Sequence, residues 1–150
     1  MYPEIRLTST RDIPGIINIE NKAFPCSWDT ESITACIESP SLRTWTARLD
    51  GRVAGYITAQ LDVNGLHIVN LAVDEDKRRL GLATFLLRTA ESWGCRLAAA
   101  ASYLEVRESS LPAQALYAEN NYLRMRLIRN YYPDGESGIE FSKAIQPDVN

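Results

Sequence analysis

Apolar positions along the chain follow two different spacings, and the switches between them predict the elements. Glu4–Thr8 alternates apolar and polar, as a half-buried strand does. From Arg11 to Ala23 the residues Ile13, Ile16, Ile17 and Ile19 fall at helical spacing, with Pro14 near the start, where its missing N–H is tolerated. Phe24-Pro25-Cys26-Ser27-Trp28 breaks that pattern. Ser27 or Asp29 can then cap a second helix running to about Glu38. Arg43–Leu49 and Arg52–Leu61 read as strands around Asp50-Gly51, a strong hairpin signal. A turn at Asn64-Gly65 leads into the apolar strand Leu66–Val73.

That strand, ending Asn70-Leu71-Ala72-Val73, runs out of apolar residues at Asp74, and a short charged loop follows. Within Arg78-Arg79-Leu80-Gly81-Leu82-Ala83-Thr84 the glycine opens a long helix expected to reach Ala98. Its predicted buried stripe is Leu82, Phe85, Leu86, Ala90 and Trp93. Gly94 is expected to weaken it by about 1 kcal/mol near its end. A strand, a short loop and a helix start in this order bring free backbone N–H groups and the positive end of a helix dipole to one point, where a pyrophosphate can be held. A side chain at position 81 would keep the backbone away from phosphate oxygens.

Tyr103–Arg107 is the next strand. Ser109 or Ser110 can cap a helix with Pro112 in its first turn, and Asn121, tolerant of the left-handed conformation, can end it. Strands at about Leu123–Asn130 and Ser137–Ala144 frame a Tyr131-Tyr132-Pro133-Asp134-Gly135 loop. The order β α α β β β α β α β β predicts an α/β sandwich around a mixed sheet, not a doubly wound fold.

The chain has 150 residues, which fits one domain (1–150) with a real core. Only the tail after Ala144 looks frayed. No apolar run approaches the roughly 20 residues of a membrane span, and no signal-peptide pattern opens the chain. Three scattered cysteines, Cys26, Cys36 and Cys95, lack metal-ligand spacing and suggest free thiols in a reducing cytoplasm. With a single histidine, a His-based zinc site is not expected. A net charge of −3 without basic runs argues against nucleic acid as the main ligand.

The element order, with Leu71-Ala72-Val73-Asp74 before Arg78-x-x-Gly81-x-Ala83, resembles the GNAT superfamily of acetyl-CoA-dependent N-acetyltransferases, whose signature is Gln/Arg-x-x-Gly-x-Gly/Ala. Three later segments resemble the RimI-type protein N-terminal acetyltransferases in order and spacing: Leu104-Glu105-Val106-Arg107, Ala115-Leu116-Tyr117 and Arg129–Gly135. Phe24-Pro25 and Trp28 look like that family's segment between its first two helices. The resemblance runs from about Ile5 to Ile145 and implies the GNAT fold, a mixed, mostly antiparallel sheet flanked by about four helices.

The resemblance also implies roles. Backbone groups of Arg79, Leu80, Gly81, Leu82, Ala83 and Thr84 would hold the pyrophosphate of acetyl-CoA, with charge from Arg78 and Arg79. Leu71, Ala72 and Val73 would pair with the pantetheine arm as a neighbouring strand does, and an N–H near Val73 would stabilise the oxyanion. Read from the residues alone, Glu105 fits the wet face of a half-exposed strand and Tyr117 a core aromatic. The family match makes Glu105 the general base and Tyr117 the proton donor to the departing thiolate. A peptide α-amine titrates near 8, about two units below lysine, so a modest base suffices. His67 stands between a role as an additional base and that of a cleft-lining side chain. Phe24, Trp28 and Tyr131, with Pro25 and Tyr132, would wall the peptide groove.

Three departures stand out. The family's Ser-Asn before the helix that carries Tyr117 is Ser109-Ser110 here, so Ser110 takes the place of an asparagine that contacts coenzyme A. Its Gly-Phe after that helix is Asn121-Tyr122, and the last strand is more polar than usual. The expected activity is acetyl transfer to a protein α-amine by direct attack in a ternary complex. The family's acceptor is the N-terminal alanine of a small-subunit ribosomal protein. Alternatives are a small amine or lysine as acceptor, or a silent acyl-CoA-binding module that would need neither Glu105 nor Tyr117.

Overall fold

The computed structural model describes residues 3–24 and 28–146. The element order is the expected one. It runs β1 (Glu4–Leu7), α1 (Ile13–Ala23), α2 (Thr30–Glu38), β2 (Leu42–Leu49), β3 (Arg52–Asp62) and β4 (Gly65–Val73), then α3 (Leu82–Arg96), β5 (Ala101–Arg107), α4 (Leu111–Glu119), β6 (Leu123–Ile128) and β7 (Gly138–Ala144). Short 3₁₀ turns at Thr10–Asp12 and Glu75–Lys77 precede α1 and the loop before α3. One seven-stranded sheet has the order β1-β2-β3-β4-β5-β7-β6. Every neighbouring pair is antiparallel except β4 and β5.

Both faces are covered at the centre of this sheet, as the near-continuous burial of Ala54–Ala59 in β3 shows, while the edge strands β1 and β6 are largely exposed. Successive residues of a strand point to opposite faces. Tyr56 accordingly joins a core with Ile13, Ile16 and Ile19 of α1 and Ile33 of α2. Its neighbour Ile57 joins the other core, with Leu82, Leu86, Leu87 and Ala90 of α3 and Tyr117 of α4. Asp29 caps α2, accepting from the Ser32 amide at 2.8 Å. Ser27 and Cys26 lie outside the described residues.

Several expectations change. Phe85 is 48% exposed, and Leu87 takes its place in the α3 stripe. Trp93 does pack inward, edge-on to Trp45 at 5.7 Å. Gly94 lets α3 approach β4: a Cβ there would lie 3.1 Å from the Leu66 side chain. The helix ends at Arg96, short of Ala98, which is left-handed (φ 68°), and the Ala99 amide bonds back to Gly94 at 2.9 Å. Ile145 is buried and its amide bonds Ala100 at 2.9 Å, so it belongs to the core and not to a frayed tail. Residues 147–150 of that expected tail lie outside the described ones. Cys36 and Cys95 are free thiols. Among the described residues no helix is long and apolar enough to cross a membrane.

Candidate active site

The site is made by a failure of pairing. Strands β4 and β5 are in register only where Leu66 faces Ser102 and His67 faces Tyr103, after which they part. β4 also carries a bulge: Thr58 of β3 faces Asn70 while Ala59 faces Ile68, leaving Val69 as the extra residue. Backbone groups of β4 beyond His67 therefore lie beside an opening in place of a partner strand. Leu71, Ala72 and Val73 line it, with Ala72 buried and its neighbours half-buried.

Glu105 stands in this opening, two residues past the last pair. Strand alternation buries Ser102, Leu104 and Val106 and turns Tyr103, Glu105 and Arg107 to the other face. One oxygen, Glu105 Oε1, lies 2.7 Å from His67 Nε2 and accepts from the Tyr131 hydroxyl at 3.2 Å. The His67 ring stacks on Tyr103, whose hydroxyl donates to Asp62. Thus residues far apart in sequence meet around one carboxylate.

Tyr117, on α4, is 8% exposed and packs edge-on to Tyr122 at 5.9 Å. Burial holds its phenol well above the usual value, so the proton stays on the oxygen. The loop between β6 and β7 is tied down from beneath. Arg107 donates to Asp134 and Glu136, both at 2.8 Å, and its guanidinium lies 4.2 Å from the Tyr132 ring centroid. Tyr131 meets Tyr132 edge-on at 4.9 Å. Burial and the Glu105 carboxylate push the Tyr131 phenol up to about 12. Burial pushes Tyr132 up to about 12 as well, with Arg107 opposing.

The segment between α1 and α2 holds the other two residues expected at the groove. Phe24 and Trp28 are half-buried and pack on the core of α1 and α2, so part of each surface goes to packing. Pro25 lies outside the described residues.

The loop before α3 has the geometry of an anion cradle. Arg79 (φ 68°) and Gly81 (φ 77°) are both left-handed, a conformation that recurs in anion-binding backbone nests. The helix's first internal bond runs from Phe85 N to Gly81 O, leaving the amides of Leu82, Ala83 and Thr84 unused by the helix. A Cβ at position 81 would meet nothing nearer than 4.0 Å within the chain, so the glycine serves the backbone angle. Arg78, Arg79 and Leu80 are exposed beside it, and a small crevice formed by Ile19, Lys22, Val73, Asp74 and Arg78 adjoins the end of β4. Ser110 occupies the N-cap position of α4, but its side chain makes no capping bond, contrary to expectation. It is two helical turns before Tyr117. Among the described residues no group of His, Cys, Asp and Glu is arranged to hold a metal.

The amide cradle and the parted strands fit a pyrophosphate-bearing ligand whose arm completes the sheet. The family model described as the acetyltransferase (GNAT) family matches residues 13–122. The chain belongs to the GNAT family of acetyltransferases. An uncharacterized N-acetyltransferase of Methanocaldococcus jannaschii is 36% identical over 137 residues, covering 90% of this chain and 87% of that one. An N-alpha-acetyltransferase of Saccharolobus solfataricus is 33% identical over 147 residues, covering 89% and 88%. The ribosomal protein bS18-alanine N-acetyltransferase of Escherichia coli is 30% identical over 124 residues, 83% of each chain. The crystal structure of the Escherichia coli ribosomal-protein-S18-alanine N-acetyltransferase superposes with a TM-score of 0.86 at 27% identity, covering 99% of this chain and 97% of that one. The GNAT fold and an acetyltransferase family are thereby the ones the residues first suggested.

Of the residues expected at the site, the structure brings Glu105 and Tyr131 together, and His67, undecided from the sequence alone, joins them. Tyr117 lies in the buried core against Tyr122 and Phe141. Sequence reasoning missed Tyr103 and Asp62. The only signal for them was the alternation that sets Tyr103 beside Glu105 on one face.

Proposed function

We propose that this GNAT enzyme transfers the acetyl group of acetyl-CoA to the α-amine of a protein N-terminus, by direct attack in a ternary complex. The observation that carries it is the His67–Glu105–Tyr131 cluster where β4 and β5 part. It supplies a proton acceptor beside the strand on which the thioester would lie. The N-alpha-acetyltransferase of Saccharolobus solfataricus and the bS18-alanine N-acetyltransferase of Escherichia coli support an N-terminal amine as acceptor.

Acetyl-CoA supplies the activated acyl group and the thiolate leaving group. Arg79–Thr84 and Arg78 hold its pyrophosphate, Leu71–Val73 its pantetheine arm, and an amide of that strand stabilises the carbonyl oxygen as it gains charge. Glu105 takes the amine's proton, with His67 sharing the same carboxylate oxygen. Tyr117 gives a proton to the thiolate, whose own developing charge must draw it against the raised pKa of the buried phenol. Ser110, shorter than asparagine, touches coenzyme A from the start of α4. Phe24, Trp28 and Tyr131 grip the first residues of the acceptor. The first acceptor to test is the N-terminal alanine of a small-subunit ribosomal protein, and the cytoplasm is where such a substrate is met.

The test supplies acetyl-CoA with peptides identical except for a free or blocked N-terminus and follows thiol release. Turnover confined to free N-termini is expected. Equal turnover of blocked peptides carrying lysine, or of small amines alone, would overturn the assignment.

A further inference from the structure

Glu20 of α1 is fully buried, an arrangement that is costly for a carboxylate unless its oxygens find donors. Its two oxygens serve two different segments. Oε2 accepts from the Trp28 backbone amide at 3.2 Å, and Oε1 accepts from Asn70 Nδ2 at 2.5 Å. Asn70 gives its second amide hydrogen to the buried Tyr56 hydroxyl at 2.7 Å, while its Oδ1 accepts from the Leu71 amide at 3.0 Å. The Leu71 amide thus fixes which way the Asn70 amide points. Both Glu20 oxygens face donors, which suits the ionised form, although burial pushes its pKa up against the opposing Trp28 amide and Asn70.

The chain of bonds begins at Leu71, directly after the β4 bulge, and ends at Trp28, in front of α2. These are the strand assigned to the acetyl group and the segment assigned to the acceptor. None of the proton transfers described above uses Glu20 or Asn70. An apolar pair would pack between α1 and β4 without desolvating a charge.

We propose that Glu20 and Asn70 form a positioning pair for acetyl transfer, holding the Trp28 segment at a fixed spacing from Leu71 so that the acceptor's first residue meets the thioester. The proposal rests on the assignment of Phe24 and Trp28 to acceptor binding. The pair touches neither substrate and acts through the two backbone amides it anchors.

Polarity supplies the test. Glu20→Gln must point an amide NH₂ at either Trp28 N–H or Asn70 Nδ2, so one donor meets another. Adding Asn70→Asp restores a matched donor and acceptor at each link. The carboxylate introduced at position 70 accepts from the Leu71 amide, from the Tyr56 hydroxyl and from the new amide NH₂ at position 20. The amide oxygen at position 20 then accepts from Trp28. The full-length Glu20→Gln enzyme is expected to show a peptide KM raised about tenfold, with the acetyl-CoA KM within about twofold, because a single buried donor is left unpaired on the acceptor side. Amide exchange at Trp28 should quicken. In the double variant both readouts should return toward wild type.

Unchanged peptide kinetics in Glu20→Gln would overturn the proposal. So would equal losses toward peptide and acetyl-CoA, or a double variant that stays impaired. If Glu20→Gln fails to fold, the double variant should still fold and acetylate, and its inactivity would be decisive against the pair. A wild-type enzyme inert toward every free N-terminus would instead sink the acceptor assignment itself.

Discussion

The His67 imidazole lies flat on the Tyr103 ring, centroids 4.6 Å apart and planes 10° from parallel. These two residues form the last register pair of β4 and β5, so the stack sits where the strands separate. It orients Nε2 toward Glu105 and leaves that carboxylate facing the opening. Glu105→Gln keeps the size and loses the base. Its kcat is expected to fall about 10²-fold or more, the usual scale of positioned proton transfer, with the acetyl-CoA KM little changed. Steady-state kinetics with a free-N-terminus peptide check this, and an intact kcat would remove Glu105 from its role.

Tyr117→Phe retains the ring that packs on Tyr122 and Phe141 and removes only the hydroxyl. Folding should be preserved, while kcat drops about tenfold or more for want of a proton on the departing sulfur. Circular dichroism and thiol release, measured on the same preparation, separate the two effects.

Tyr122 stands where the family usually has phenylalanine, yet its hydroxyl is fully engaged. It donates to Glu91 at 2.8 Å and shares a hydrogen bond with Ser102 at 2.8 Å, while Lys143 donates to Glu91 at 2.9 Å. Tyr122→Phe, though it restores the family residue, is expected to destabilise the fold by about 1–3 kcal/mol, because buried Glu91 and Ser102 each lose a partner. Denaturant titration reads this directly.

The Glu136 carboxyl is held down to about 2 by the Ser109 amide and side chain and by Arg107. A carboxylate whose folded pKa lies below its unfolded value of about 4.3 adds stability above that value. The contribution fades as pH falls from there toward 2. Glu136→Gln should therefore unfold more readily than wild type at pH 7, with the gap closing near pH 2–3. Thermal melts across that range give the measurement.

Gly81→Ala places an L side chain at φ 77° and should cost about 1–2 kcal/mol in the cradle. Since the strain falls on the amides assigned to the pyrophosphate, the acetyl-CoA KM should rise more than the peptide KM. Isothermal titration with coenzyme A provides a second check.

What could be read from the chain was whatever local chemistry decides. Asp50-Gly51, Gly81 and Asn121 each need or tolerate a left-handed backbone, and each ends or opens an element where expected. Glu105 was placed on the wet face by alternation alone. The rest depends on partners distant in sequence. Nothing near Val69 announces a bulge, since the extra residue exists only relative to β3. His67 and Glu105, 38 residues apart, meet because β4 and β5 share two register pairs and no more. Phe85 has the right spacing for the core, but the helix turns Leu82, Leu86, Leu87 and Ala90 to the sheet instead, a rotation fixed by packing partners and not by spacing. Glu20 gave no signal, because an acidic residue on an amphipathic helix ordinarily reads as solvent-facing.

The two short register pairs between β4 and β5 divide the sheet into two plates joined at one end. One plate, β1 to β4, ends at the cradle proposed for the donor; the other, β5 to β7, carries Glu105 and the Tyr131 loop. A donor bound as proposed would occupy the seam as an eighth, borrowed strand. What joins the plates across that seam is packing: Ile57 and Leu66 from one share a single buried core with Leu104, Ile139 and Phe141 from the other, so the gap in pairing opens a slot without loosening the body.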